Sequence, residues 1–266
     1  MVSKYLKLSK LISAVSLLLA TGVASAAGPI SEYYAGTGFG TGITVVQGSA
    51  VVRSWAAVNG CEWSLNVYND VRTNPAGTAC GAGAQYSLAG VYTGTNYAEE
   101  VSGYQNTDDS TTNGRSNFTA SYATGDIIQT DRNFTGAGVL FNAGFGSLGI
   151  TYDETNNSLW VISFTASLMR DYDLSGALLS SFAVDTSATG GLALDHVDQT
   201  LWYSDTNGDL QQYSKTGVHL GTGPNIGYVL GAEFDFAAAG RTPEPSGLAL
   251  LGLGIAGLAV ARRRRQ

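Results

Sequence analysis

Between Gly28 and Arg241 the apolar residues do not recur at the three-to-four spacing that marks a helix lying on a core. They come in short alternating or β-branched runs, such as Ile43-Thr44-Val45-Val46 and Leu159-Trp160-Val161-Ile162, closed by glycine, asparagine or aspartate. That pattern predicts an all-β chain. Asn207-Gly208, between two strand-like flanks, predicts a tight hairpin that pairs Leu201–Asp205 with Asp209–Tyr213. One stretch breaks the pattern. Residues 105–121 are the most polar of the body and predict a long inter-strand loop.

The runs repeat. Gly149-Ile150-Thr151-Tyr152-Asp153 followed by Leu159-Trp160 returns as Gly191-Leu192-Ala193-Leu194-Asp195 followed by Leu201-Trp202, with glycine and tryptophan each displaced by 42 residues. A second landmark follows each copy, Tyr172 to Leu178 and then Tyr213 to His219, with an earlier version at Asn133 to Val139. A unit of roughly 40–45 residues with several short strands marks a β-propeller blade, whose two apolar faces only neighbouring blades can cover. About five such units fit the body, residues 27–236. The last copy, Gly231 to Asp235, has room for one strand, so the segment from Gly42 to Val52 is expected to complete its blade. Asp153, Asp195 and Asp235 should end the first strand of successive blades and hold the following turn. Trp160 and Trp202 recur at one blade position and are read as core. The repeats resemble the NHL and lactonase-type propellers, a resemblance clear over residues 126–236. It implies a ring, and for the lactonase type a divalent metal held by carboxylates in the central channel.

The two ends follow other rules. Lys4, Lys7 and Lys10 precede an apolar stretch from Leu11 to Val23, and Ala24-Ser25-Ala26 offers a small-residue cleavage site. This is the order of a secretory signal peptide, residues 1–26, with Ala24 and Ala26 marking its cleavage site. At the other end, a linker over 237–246 holds Pro243-Glu244-Pro245, an uncharged run covers 247–261, and Arg262 to Arg265 open the basic tail 262–266. An apolar helix of that length would span roughly 22 Å, short of the ~30 Å hydrocarbon core, and flanking arginines can snorkel to cover the deficit. Arginines stay on the cytoplasmic side, so the body is placed outside the inner membrane. The triplet, the short apolar helix and the terminal arginines together resemble the PEP-CTERM sorting signal of Gram-negative bacteria. That resemblance implies an exosortase-type peptidase that cuts near Pro243, Glu244 and Pro245. It further implies a transient anchor in the inner membrane and delivery to the cell surface or the extracellular medium, beside exopolysaccharide.

With both ends set aside, seven Lys and Arg face 20 Asp and Glu, a net charge of −13. Nucleic acid and anionic lipid are excluded as partners on that balance. Cys61 and Cys80, 19 residues apart in an exported body, are expected to form one disulfide worth about 3 kcal/mol. No Gly-x-Ser-x-Gly, His-Glu-x-x-His or phosphate loop occurs, and with two histidines a triad or a three-histidine zinc site is disfavoured. Gly252, Gly254 and Gly257 match a dinucleotide fingerprint only by falling inside the apolar tail. No cofactor is expected. Asp205, Asn207 and Asp209 resemble the start of a calcium loop, but the twelfth position is Thr216, and a hairpin turn accounts for them equally. Tyr33, Tyr34, Tyr92, Tyr97 and Tyr104 are candidates for exposed rings that stack on sugars. The residues thus point to a non-enzymatic binding or assembly scaffold. The alternative is a metal-dependent hydrolase of the lactonase propeller type.

Overall fold

The computed structural model describes residues 28–75, 81–98, 107–163 and 166–240. The signal peptide, the sorting tail, Cys80 and Tyr104 lie outside them. The described chain forms five four-stranded antiparallel sheets arranged as a ring. The N-terminal strands β1 (Tyr33–Thr37), β2 (Gly42–Gln47) and β3 (Ala50–Ala56) share a blade with the last strand, β20 (Val229–Phe234). The second blade holds β4 (Glu62–Val67), β5 (Asp70–Pro75), β6 (Gly83–Ser87) and β7 (Tyr92–Tyr97). The third holds β8 (Thr107–Thr112), β9 (Ser116–Ser121), β10 (Asp126–Asp131) and β11 (Gly138–Asn142). The fourth holds β12 (Ser147–Asp153), β13 (Ser158–Ser163), β14 (Leu168–Asp173) and β15 (Leu178–Ala183). The fifth holds β16 (Ala188–Asp195), β17 (Thr200–Asp205), β18 (Asp209–Ser214) and β19 (His219–Asn225).

Ring closure is the pairing of β1 with β20, which sets Tyr33 opposite Phe234 and Ala35 opposite Ala232. The N-terminal segment therefore completes the last blade as expected, with β1 joining the two strands near the predicted segment. The hairpin at Asn207-Gly208 is also as expected, with Leu201 opposite Tyr213 and Ser204 opposite Leu210. Burial falls from the axis outward. Strands β8, β12, β16 and β20 are buried along their whole length, whereas β3, β7, β15 and β19 are largely exposed.

Each inner strand is the edge of its sheet, so its axis-facing N–H groups lack ladder partners and must find acceptors in the channel. The repeat landmarks explain how. Gly149-Ile150, Gly191-Leu192 and Gly231-Ala232 occupy equivalent inner-strand positions, and the second residue of each pair donates its N–H to the Asp109 carboxylate, all at 3.0 Å. Asp109 also accepts the N–H of Ser110 at 2.9 Å. One buried carboxylate thus ties four of the five inner strands. The fifth joins through Ser110, whose hydroxyl accepts from the Asn66 amide at 2.7 Å. Two residues further along, Thr111 accepts the N–H of Tyr152 and Thr151 accepts that of Leu194, both at 3.0 Å, and both hydroxyls bond Glu233. The glycines are required by closeness. A Cβ on Gly231 would stand 2.4 Å from the Trp63 carbonyl oxygen, and one on Gly149 would stand 2.6 Å from Leu192 Cβ.

The polar run at 105–121 is therefore not a loop. Its described part forms β8 and β9, and Thr107–Thr112 is buried throughout. Polarity there reflects the demand for acceptors at the axis and not contact with water. Burial pushes the carboxyl groups of Asp109 and Glu233 well above the ordinary range, with the N–H and hydroxyl bonds pulling in the opposite direction.

Apolar clusters fill four of the five inter-blade seams. Tyr34, Val45, Leu65 and Tyr86 join the first blade to the second, Phe118, Ile127, Ile150 and Leu159 the third to the fourth. Trp160, Leu192 and Tyr203 join the fourth to the fifth, and Trp202, Val229 and Phe234 the fifth to the first. The two tryptophans are core, as their recurrence suggested. The seam between the second and third blades combines a buried aromatic contact, Tyr97 edge-on to Phe134 with centroids 5.4 Å apart, with a charged cluster. Asp70 there pairs with Arg72 at 2.8 Å and Arg132 at 3.1 Å, and the two guanidinium groups lie over Tyr97 and Tyr68.

Removing the Asp109 carboxylate should cost more than any apolar truncation on the axis, because each stranded buried N–H costs about 1–3 kcal/mol. Asp109→Ala is expected to lose at least ~3 kcal/mol in urea unfolding, and Asp109→Asn, which keeps one carbonyl oxygen, a smaller amount. A fully stable Asp109→Ala protein would show that ring closure does not depend on this group.

Candidate functional site at the entry mouth

The axis has an end where the inner strands begin and one where they finish. At the finishing end, Asp153 closes β12 and accepts the N–H and hydroxyl of Thr155, Asp195 closes β16 and accepts the N–H of Val197, and Asp235 follows β20 and accepts the N–H of Ala237. The three repeat aspartates hold turns, as predicted. Asp153 further accepts the Trp160 indole N–H at 3.2 Å and pairs with Lys215 at 2.6 Å. The chain then enters a 3-10 helix, Phe236–Gly240, whose Phe236 ring packs against Tyr68, Tyr152 and His196 at 5.2–6.0 Å. His196 pairs with Glu154 at 2.5 Å. Phe236 lies among these rings at the finishing end, and a hollow of about 210 Å³ beside it is lined by Glu32, Tyr34, Asp195 and His196.

The beginning end is different. The second residues of four inner strands, Trp63, Asp108, Leu148 and Leu230, form the floor of a cavity of about 310 Å³, and Phe39, Tyr122 and Tyr228 form its walls. The wall at Phe39 is built by an unusual turn. Gly38, Phe39 and Gly40 all take positive φ, +61°, +57° and +77°. A non-glycine residue in that region is disfavoured by roughly 1–2 kcal/mol. The turn is pinned from below, where the Trp63 indole N–H donates to the Phe39 carbonyl at 3.0 Å and the Glu62 N–H to that of Gly40 at 3.0 Å. A Cβ on Gly40 would stand 2.3 Å from the Trp63 ring, so glycine alone permits this approach. The strained turn holds an exposed Phe39 ring stacked on Tyr228, with centroids 4.9 Å apart.

Asp108 supplies the polar element. It is 6% exposed, it makes no hydrogen bond or ion pair among the described residues, and burial pushes its carboxyl up to about 7. Burial, then the nearby Asp108 and Tyr122, also raises the Tyr228 phenol. The cavity therefore combines aromatic walls with one poorly solvated acid. Among the described residues it offers no second carboxylate or histidine to pair with Asp108 in acid–base chemistry. Among the described residues no group of three or more His, Cys, Asp or Glu side chains is placed to hold a metal ion.

The aromatic residues chosen from the sequence are not those of the cavity. Tyr33, Tyr34 and Tyr97 are buried between blades, because β1 is the second strand from the axis and β7 turns Tyr97 onto Phe134. Only Tyr92 is exposed among the described candidates. Phe39, set between glycines at a turn, was the available signal for an exposed ring. Asp205, Asn207 and Asp209 share one turn, in which Asp205 accepts the N–H of Asn207 and of Asp209 and the amide of Gln211. The Asn225 amide donates to the Asn207 carbonyl and to Asp209. Asp131 and Asp173 hold other hairpin turns with the same pattern of bonds, so the device belongs to the blades. Cys61 lies before β4 and no free thiol occurs among the described residues; its expected partner Cys80 lies outside them. No helix among the described residues is long and apolar enough to cross a membrane, and the predicted span 247–261 is outside them.

A ring of five four-stranded blades is a five-bladed β-propeller. Residues 241–265 match the PEP-CTERM protein-sorting motif, which marks an exported chain processed by an exosortase-type enzyme. Among solved structures, a chain of a nidogen/laminin complex is similar at 12% identity and a TM-score of 0.53, over 78% of this chain and 99% of that one. Virginiamycin B lyase from Staphylococcus aureus is similar at 11% identity and a TM-score of 0.45, over 69% of this chain and 63% of the lyase. At these identities the likeness is one of fold alone. No curated protein matches the sequence.

Two measurements test the mouth. Phe39→Gly relieves the strained φ while losing one ring stack, terms of about 1–2 and 0.5–1.5 kcal/mol. Its unfolding free energy should stay within about 1 kcal/mol of the parent; a loss above ~3 kcal/mol would make the ring a fold element. The raised carboxyl of Asp108 favours the protonated folded state. Its contribution is therefore complete below the unfolded value near 4 and is lost as pH rises towards 7. Asp108→Asn should nearly match the parent at pH 4 and exceed it by about 4 kcal/mol at pH 8; parallel stability–pH curves would refute this.

Proposed function

We propose that the chain is an envelope or extracellular-matrix protein, held at the inner membrane by residues 247–261 until its exosortase cuts near Pro243-Glu244-Pro245. Its propeller then serves as a non-enzymatic binding scaffold at the cell surface or in the surrounding polysaccharide. The support is the arrangement of the two mouths. The chain leaves the ring at the finishing end of the inner strands, through Phe236–Gly240, and the sorting motif starts at the next residue. The aromatic cavity with Asp108 is at the mouth opposite Phe236–Gly240.

A lactonase-type hydrolase would need channel carboxylates with oxygens free for a metal and a substrate. The axial carboxylates here, Asp109 and Glu233, spend their oxygens on N–H and hydroxyl donors. This favours the scaffold. The test compares the protein in cells with and without the sorting peptidase. With the peptidase, its mass should fall by the signal peptide and by about 22 residues of tail, and it should leave the membrane fraction. Without it, the tail should remain and the protein should sediment with membranes. A chain that keeps its tail in the presence of the peptidase would sink the sorting half of the reading. Failure of the released protein to retain any native matrix component would sink the scaffold half.

A further inference from the structure

The cavity at the entry mouth is a built site in need of a charge. Its acid, Asp108, is 6% exposed, lines the cavity, and receives no donor among the described residues. The other buried carboxylates described above have partners. Asp109 accepts four N–H groups, and Asp153 holds Lys215 and the Trp160 indole. An ionised Asp108 has no counter-charge among the described residues, and a bound cation can supply one.

The walls narrow the chemistry. Aromatic faces carry partial negative charge and attract cations, as the carboxylate does. Walls and floor thus agree in sign, and an anionic ligand would meet repulsion from both. A small, strongly hydrated metal ion would find one ligand oxygen where such ions take six or more. An ammonium bearing methyl or methylene groups instead keeps its charge while giving up little hydration, and its alkyl surface fits Phe39, Trp63 and Tyr228. The volume, about 310 Å³, lies at the small end of ligand pockets and suits a headgroup. The body's charge of −13 would draw such a ligand inward.

We propose that the entry mouth binds an alkylammonium group, with its charge against Asp108 and its alkyl surface against Phe39, Trp63 and Tyr228. The proposal rests on the scaffold reading, since it takes this mouth to be the binding face, and it names what that face recognises. The same group can arrive as a free small molecule or on a lipid headgroup, and both present the same chemistry.

Calorimetric titration of the full chain with tetramethylammonium and choline tests it, with 3,3-dimethyl-1-butanol as the neutral isostere of choline. Choline and tetramethylammonium should bind, and the isostere at least tenfold more weakly. Asp108→Asn should weaken choline at least tenfold. Trp63→Ala should weaken choline and the isostere alike, and thermal unfolding of each variant establishes that it is folded. Co-sedimentation with phosphatidylcholine vesicles, competed by free choline, separates the sources: binding there assigns the lipid-borne group, and binding of free choline alone assigns the small molecule. Equal binding of choline and its isostere would overturn the proposal, as would unchanged choline affinity in folded Asp108→Asn. So would a neutral oligosaccharide that binds the mouth more tightly than either cation. These results leave the sorting and matrix-retention experiments untouched, so the cation proposal and the scaffold reading can fail separately.

Discussion

The inner strands of a propeller bring backbone N–H groups to an axis too narrow for bulk water, and those groups need acceptors that a ladder cannot supply. Here a single carboxylate, Asp109, meets most of the need by accepting N–H groups from the first, third, fourth and fifth blades. Because its four donors come from strands far apart in sequence, the contact exists only when the ring is closed. Local structure can therefore form blades, but the axis is satisfied only by all of them together. The glycines at 149 and 231 follow from the same constraint, since any side chain there would occupy space taken by a neighbouring inner strand.

A closed axis moves function to its ends. With Asp109, Thr111, Thr151 and Glu233 bonded to one another's strands, the channel is structural, and a ligand has the two mouths to choose from. Phe236 packs among Tyr68, Tyr152 and His196 at one of them, immediately before the segment that carries the sorting motif. The other keeps an acid without a partner among the described residues beneath exposed aromatic rings, one of them held in a strained turn. The axial carboxylates Asp109 and Glu233 are hydrogen-bonded, and Asp108 at the mouth is not bonded to any described residue. That contrast separates what holds the fold from what is left to meet a ligand.

The seams carry a second contrast. Four are apolar, and their residues come from the alternating runs visible in the sequence. The seam between the second and third blades adds the charged groups of Asp70, Arg72 and Arg132 to the Tyr97–Phe134 contact. Burial and the neighbouring Arg72 lower the Arg132 guanidinium to about 10, with Asp70 opposing them. Charged seams add less stability than apolar ones of equal area, because desolvation offsets most of the attraction.

Short-range features of this protein were readable from its sequence. The strand periods, the Asn207-Gly208 hairpin, the turn aspartates 153, 195 and 235, the core role of Trp160 and Trp202, and the sorting motif all depend on residues near one another in the chain. Each has its own local physical cause. What the tertiary structure alone decided depends on convergence. Thr107–Thr112 has the composition of a loop, and becomes a fully buried inner strand because the axis needs acceptors. Tyr33 and Tyr34 have the composition of a surface, and are buried because β1 closes the ring against β20. Phe39, Trp63, Asp108 and Tyr228 are spread over most of the chain, and only the radial arrangement of blades assembles them into one cavity. A period along the chain can show how many blades there are, but which side chains meet on the axis is settled by closing the ring.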